Sequence, residues 1–534
     1  MIVGRLVRAL DDRLRVAPVA RRALVKVFPD HWSFMLGEVA LYSFVALVLT
    51  GVYLTFFFEP STAERVYSGA YEPLSGSRVS SAYASTVELS FDVRSGLLIR
   101  QTHHWAALVF VGAIVLHLLR VFFTGAFRRP REINWLIGVT MLALALLNGF
   151  TGYSIPDDLL SGTGLRIIYS VVESIPVVGT WVAFLAFGGE FPTGQMIPRM
   201  FITHVLVVPA VLVALISVHL AILVRQKHSQ FAGSGRTEYN VVGSRFWPSY
   251  TLRTLALLAW VLAVLFALGG LVQINPVWIY GPFDPAQVTA PAQPDWYVAW
   301  GDGALRLFPP VEFRIAGYLV PAPFLPGVVL GGLTFAGLYA WPFLDRRRGR
   351  NRAVHQLLDR PRDHPVRLAV GVAVLVFYAL LVFAAADDVA ARLLRVSLLD
   401  VVSVLRILVL VAPPVAGVVA YLAASALRRA QPPRPVEGRI EVWADPDRVW
   451  RWGYREPSSR RWLTGNRGFL SQQEAVTAAG TAYPGHQVVV VSPPPEATGP
   501  GVATRVAGRL ARATGYLALL VIGVFRWRRG RPRG

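Results

Sequence analysis

The stretch RQTHHWAALVFVGAIVLHLLR, residues 100–120, decides the fold together with its counterpart FITHVLVVPAVLVALISVHLAILV, residues 201–224. Each lies in an apolar run long enough to cross about 30 Å of hydrocarbon. Each carries two histidines, His103 with His117 and His204 with His219. A helical residue turns the chain by about 100° and lifts it about 1.5 Å. The step 117 − 103 = 14 brings His117 to within roughly 40° of the His103 face, about 21 Å along the axis. The step 219 − 204 = 15 leaves roughly 60° and about 22 Å. Both pairs therefore look sideways from one face, with one histidine near each end of the span. His104 stands roughly 140° from His117 and is read as a rim residue.

Burying imidazole in lipid is costly without a partner. A lone histidine could hydrogen-bond to a neighbouring helix, but four in two matched pairs, on segments nearly devoid of charge, point to two stacked haems. Glycines repeat the interval: Gly37 and Gly51 lie 51 − 37 = 14 apart in the first apolar run, and Gly138 and Gly152 lie 152 − 138 = 14 apart in the third. A flat porphyrin between helices needs backbone without side chains at each level. Small residues also serve plain helix packing.

Composition sets the class. With 534 residues, 54% hydrophobic and 16% charged, and a mean hydropathy of +0.47, the chain is a polytopic membrane protein. The formal net charge of +21 sits in loops between apolar spans and accompanies no nucleic-acid motif, so anionic lipid headgroups are the expected counter-charge. There is no cysteine. Disulfides, C-x-x-C-H haem attachment and cysteine-held iron–sulfur clusters are excluded on this chain, and any haem is held noncovalently by histidine. The basic start, Arg5 to Lys26, lacks an apolar core and a small-residue cleavage site, and reads as an amphipathic lead-in.

Spans are expected at 34–58, 104–124, 134–154, 201–224, 251–274, 318–343, 367–386 and 399–427. The resulting fold class is all-α, with eight transmembrane helices, a four-helix di-haem bundle in the N-terminal half and a small C-terminal α+β module. Arg128, Arg129, Arg131, Arg225, Lys227, Arg236, Arg245, the cluster Arg346 to Arg352, and Arg428 and Arg429 all fall on the side of the N-terminus. That side is the cytoplasm by the positive-inside rule, and both termini face it. The opposite loops hold Glu64, Glu72, Glu88, Asp157, Asp158, Asp284, Asp295, Asp302, Asp387 and Asp388 among others. Both histidine helices then run outside to inside, so His103 pairs in depth with His204 and His117 with His219.

Two outer connections are structured. Ser161 to Phe191 shows helical spacing broken at Pro176 and reads as interfacial helices. Asn275 to Phe313 is rich in Pro and aromatics and contains Pro294-Asp295-Trp296-Tyr297. This is either a proline-rich surface loop or, beside an outer haem, a substrate site. The division expected is a lead-in over 1–33, the di-haem bundle over 34–230, four further spans with the outer loop over 231–430, the module over 431–500 and a basic tail over 501–534. Within the module, strands at Arg439 to Trp443, Val449 to Tyr454 and Val488 to Val491 surround a helix near Gln472 to Ala479. In the tail, Tyr516 to Phe525 is apolar but short and flanked by arginines, which favours an interfacial helix over a ninth span.

The residues Arg100-Gln-Thr-His103, His117-Leu-Leu-Arg120, His204-Val-Leu-Val-Val-Pro209 with His219, the paired glycines, Gly152-Tyr-Ser-Ile-Pro156, Ser161-Gly-Thr-Gly164 and Pro-Asp-Trp-Tyr at 294–297 together resemble cytochrome b of the cytochrome bc complexes, of the actinobacterial type. The resemblance covers residues 30 to about 427. It departs from the mitochondrial pattern in the second histidine interval, 15 rather than 14, and in Asp295, where the motif usually has Glu. The extra covalent haem of chloroplast-type relatives needs a cysteine that is missing here.

The resemblance implies a subunit of a quinol:cytochrome c reductase, a respiratory translocase. Quinol is oxidised outside at Pro294, Asp295, Trp296 and Tyr297, with Asp295 as proton acceptor and Tyr297 as its hydrogen-bonding companion. One electron goes to a Rieske iron–sulfur protein and the other through two b haems to an inner quinone site. There the candidates are His228 and Lys227, with Glu38 behind them; His228 is equally readable as a solvated loop residue. Arg100 and Arg120, three residues from His103 and His117, can reach haem propionates or serve as interfacial snorkelling arginines. Menaquinone, a cytochrome c subunit, a homodimer and a supercomplex with a terminal oxidase are also implied. Two other readings remain open, a haem-b membrane anchor of a quinone-linked dehydrogenase and a proton or metal transporter.

Overall fold

In a computed structural model of the chain the described residues are 13, 24–233, 235–287, 293–349, 354–429, 439–445, 449–455, 462–464, 468–483 and 486–491. The rest of the lead-in, the linker at 431–435 and the tail with Tyr516 to Phe525 lie outside them.

Among the described residues, eight helices are long and apolar enough to cross a membrane: α1 (Trp32–Thr55), α2 (Gly96–Phe123), α3 (Glu132–Ser154), α4 (Met196–Gln226), α5 (Phe246–Leu271), α6 (Phe324–Asp345), α7 (Pro365–Ala384) and α8 (Leu398–Arg429). Their number and order are those expected, but four starts differ by five residues or more: α4 begins at Met196 rather than at 201, α5 at Phe246 rather than at 251, and α2 and α6 differ further. α2 begins at Gly96 rather than at residue 104, because the helix runs through Arg100 and the Asn275 carbonyl accepts from that guanidinium. α6 begins at Phe324 rather than at 318, because Tyr318–Val320 pairs with Phe313–Ile315 in a hairpin. Its turn is made by Ala316 and Gly317, both at positive φ.

The chain divides into two compact units, His31–Ser229 with Leu257–Pro432, and Met1–Asp30 with Gln230–Ala256 and Pro433–Gly534. In the first, α1 packs along α2 and α4 along α3, and α7 lies along α8. The four-helix core is filled at mid-height by Phe44, Phe110, Ala145 and Leu212. Short helices at Ser81–Phe91, Leu159–Glu173 and Gly179–Phe187 form the connections at the His103 end of the bundle, the last two separated around Pro176 as expected. Asp158 starts the Leu159–Glu173 helix through a reciprocal cap with Ser161.

In the second unit Val27–Pro29 pairs with Gly243–Arg245. The C-terminal module is α+β, with strands β1 (Arg439–Ala444), β2 (Trp450–Arg455), β3 (Trp462–Thr464) and β4 (Val488–Val490) and helix α9 (Gln472–Ala482). The strand order is β3-β2-β1-β4, with β4 parallel to β1 and the other pairs antiparallel. Ile440, Val442, Trp452 and Tyr454 alternate onto one face and bury Ala475 and Ala479 of α9. β3 was not among the strands read from the sequence.

Candidate functional site

Helices α1 to α4 hold the four histidines at two levels. The ring centroids of His103 and His204 are 6.1 Å apart, with the planes at 75°. Metal–imidazole bonds run about 2 Å, so a single iron fits between two rings at this separation. At the other level His117 lies against Gly37 and His219 against Gly138.

Each imidazole faces a glycine of the neighbouring helix. A Cβ on Gly51 would lie 3.2 Å from Cε1 of His103, one on Gly37 3.3 Å from Cε1 of His117, and one on Gly138 3.9 Å from Cε1 of His219. A Cβ on Gly152 would overlap the His204 ring. The sequence assigned these glycines to the flat face of a porphyrin; in the fold the histidine rings themselves already need their space. Between the levels the Phe44 and Phe110 rings pack 5.5 Å apart, and with Ala145 and Leu212 they make an apolar layer.

The odd interval of the second pair has a local cause. Thr203–Val207, which carries His204, is a π turn, closed by the Val208 N–H donating to the Thr203 carbonyl. Pro209 follows within the first two residues of the next helical segment, and its missing N–H cannot bond four residues back. A π turn absorbs one extra residue. The interval of 15 then behaves as 15 − 1 = 14, and the second pair matches the phase of the first.

Both arginines keep buried donors in reserve. The Arg100 Nη1 and Nη2 each donate to the Asn275 carbonyl at 3.2 Å, but its Nε is buried with no partner among the described residues. Arg120 sits over the Phe34 ring at 4.2 Å, and its Nε and Nη2 are likewise buried without partners among the described residues. Orphaned buried guanidinium N–H groups beside paired imidazoles suit the carboxylates of a haem.

At the outer loop the structure corrects one reading. His104 is no rim residue: its Nε2 lies 2.9 and 3.0 Å from the two carboxylate oxygens of Asp295. The two side chains are only 17% and 10% exposed. The same helical phase that takes His104 off the His103 face turns it toward this loop. Asp295 is the N-cap of the helix Trp296–Leu307 but makes no side-chain cap bond, so its carboxylate is committed to His104 rather than to the helix. Tyr297 is buried, and its ring fills the space beside Gly149, where a Cβ would lie 2.8 Å away. Burial, and then the Asp295 charge, push the Tyr297 phenol well above its usual range. Trp296 is exposed and passes 3.6 Å from a Cβ placed on Gly112; Pro294 is half-buried. α2 also fastens the chain leading into this loop. Buried Gln101 bonds both the Ile274 carbonyl and its N–H, at 2.7 and 2.9 Å, and Trp105 donates to the Val272 carbonyl at 2.8 Å. Sequence reasoning passed over Gln101, although it stands inside the quoted motif.

The inner candidates are less gathered. Glu38 follows Gly37 in α1, half-buried, with the Tyr42 hydroxyl 3.5 Å from its carboxylate. His228 is half-buried and the Lys227 side chain is exposed. Lys227 has φ +66, and its carbonyl, not its ammonium, is what buried Arg131 contacts, at 3.1 Å. Arg131 also reaches the His355 carbonyl at 2.7 Å and Gln356 Oε1 at 2.5 Å.

The comparisons with known proteins agree with one another. A family model described as Cytochrome b(N-terminal)/b6/petB matches residues 108–282. The chain is similar to the cytochrome bc1 complex cytochrome b subunit of Mycobacterium bovis, 48% identical over 430 residues covering 80% of this chain and 78% of the relative. The same-named subunit of Mycobacterium leprae is 50% identical over 398 residues, 74% and 72% of the two chains. That of Streptomyces coelicolor is 44% identical over 430 residues, 80% and 79%. A solved chain described as hyperthermophilic respiratory Complex III shares the fold with a TM-score of 0.56 at 20% identity, over 78% of this chain and 99% of that one.

Proposed function

The chain belongs to the cytochrome b subunits of cytochrome bc1 complexes, and from that premise we propose that it is the di-haem, quinol-oxidising subunit of a quinol:cytochrome c reductase. One observation carries the reading: four imidazoles at two levels of a four-helix bundle, each seated against its own glycine. His103 and His204 hold one haem b and His117 and His219 the other, noncovalently. Arg100 and Arg120 offer their unpaired N–H groups to the propionates. Bound there, the two haems would supply one-electron transfer across the membrane.

The chain's own residues manage the protons. Quinol oxidation releases two electrons and two protons, one electron leaving to a Rieske iron–sulfur protein and the other entering this chain. His104 holds the Asp295 carboxylate away from the helix N-terminus and toward the loop, where it accepts a proton from the quinol hydroxyl. Tyr297, kept protonated by its surroundings, donates a hydrogen bond there. On the opposite side a quinone is reduced with protons taken from the cytoplasm, and Glu38, His228 and Lys227 are the groups to supply them. The actinobacterial kinship favours menaquinol, a cytochrome c subunit, a second copy of this chain and a terminal oxidase as companions in the cell membrane, with both termini cytoplasmic.

The test is a visible redox spectrum of the purified native complex. Two b-type components are expected. His103→Leu or His204→Leu removes one, and His117→Leu or His219→Leu removes the other. A wild-type preparation without a b-type band, or survival of both components after His204→Leu, overturns the reading.

A further inference from the structure

Thr50 lies in α1 one residue before Gly51, so the turn that leaves room for the His103 ring also supplies its partner. Thr50 Oγ1 is 2.9 Å from His103 Nδ1 and 2.6 Å from the Ala46 carbonyl oxygen. A hydroxyl has one proton. Given to the Ala46 carbonyl, it leaves only lone pairs facing the ring, so Nδ1–H donates to Thr50 and the free lone pair of the neutral imidazole sits on Nε2. At the same level His204 Nδ1 is 2.9 Å from the Asn148 carbonyl oxygen. A carbonyl only accepts, so this ring has the same tautomer.

The other level differs. Nδ1 of His117 and Nδ1 of His219 are buried with no hydrogen-bond partner among the described residues, the Asn134 backbone lying near the His219 ring. An acceptor on one imidazole nitrogen makes the other a stronger electron donor and fixes the ring's orientation. Stronger donation favours the more oxidised iron. The hydrogen bonds are therefore unequal by level, two acceptors at one and none at the other.

We propose that Thr50 is a positioning residue that fixes the tautomer of His103 and, together with the Asn148 carbonyl, lowers the electron affinity of the haem held by His103 and His204. Thr50 acts through the His103 ring. The Leu47 carbonyl also faces this ring, so the proposal assigns the tuning to the hydroxyl and not to that carbonyl. It rests on the di-haem reading, and its test separates the two.

The experiment is a potentiometric titration of the b-type bands in the native complex, with the His103→Leu spectrum marking which component belongs to this level. Thr50→Val is expected to shift the ferric to ferrous ratio of that component about tenfold toward ferrous at a fixed potential, a rise of about 59 mV for one electron. The other component stays where it was, and Thr50→Ser restores the original value. Should the branched methyls of valine hinder assembly, Thr50→Ala removes the same hydroxyl and is read in the same way. Loss of that one haem from Thr50→Val with retention in Thr50→Ser also supports the hydroxyl as the anchor. Superimposable titrations of Thr50→Val and wild type, or equal shifts of both components, overturn the proposal. A wild-type complex without b-type bands instead overturns the di-haem reading.

Discussion

At the scale of single residues the four glycines are not equivalent, and the difference is measurable. A Cβ at Gly138 meets His219 at 3.9 Å, ordinary contact, whereas one at Gly152 overlaps the His204 ring. Forcing extra atoms into a packed interior costs about 1–3 kcal/mol. Gly152→Ala is therefore expected to lose or displace the haem proposed for His103 and His204, and Gly138→Ala to keep both proposed haems, as read from the b-type bands of purified protein. Asp295→Asn removes the proposed proton acceptor but keeps the shape. Quinol-dependent cytochrome c reduction should fall about 100-fold or more, while both haems remain reducible by dithionite; unchanged turnover would assign the proton to another group. The haem-ligand candidates and the glycines were legible because their spacing is a property of one helix. His104 was not, because its partner Asp295 is 191 residues away and nothing local announces it.

At the scale of elements, irregular turns did what regular periodicity could not predict. The π turn at Thr203–Val207 brings the longer histidine interval of α4 into phase with α2, which ideal helix arithmetic left about 100° apart. The segment between α6 and α7 is tied down by charge: Asp359 meets Arg128 at 3.0 Å, Arg367 at 2.7 Å and His364 at 3.1 Å. Burial alone would raise the Asp359 carboxyl, but His364, Arg128 and Arg367 together hold it down to about 2. A carboxyl depressed in the folded state contributes stability that is present above its unfolded value of about 3.9 and lost as pH falls through the folded value. Thermal unfolding of the solubilised complex should therefore weaken between about pH 4 and pH 2, and Asp359→Asn should be less stable at neutral pH and flatten that dependence. An Asp359→Asn protein with the wild-type acid profile would assign the loss to other groups. Neither this cluster nor the hairpin ahead of α6 showed in the sequence, since short strands and ion pairs between distant loops leave no periodic trace.

At the scale of the whole molecule, eight candidate spans among the described residues and the bias of Arg and Lys toward alternate loops predict one orientation. The absence of cysteine makes this simple to test. Glu72→Cys and Tyr239→Cys place single thiols at exposed positions in loops expected on opposite sides. An impermeant maleimide should label Glu72→Cys from outside intact cells and Tyr239→Cys only after the membrane is opened; the reverse pattern would invert the topology. By itself the sequence determined the class, the number of spans, the depth pairing of the histidines and the resemblance that names the family. These are written in hydropathy and in repeats along single helices, which lipid and helical geometry read locally. Only the tertiary structure decided which groups hold those histidines and the outer motif: Thr50 on His103 across 53 residues, Asn148 on His204 across 56, and His104 on Asp295. Those are contacts between different helices and loops, and their geometry exists only once the bundle has packed.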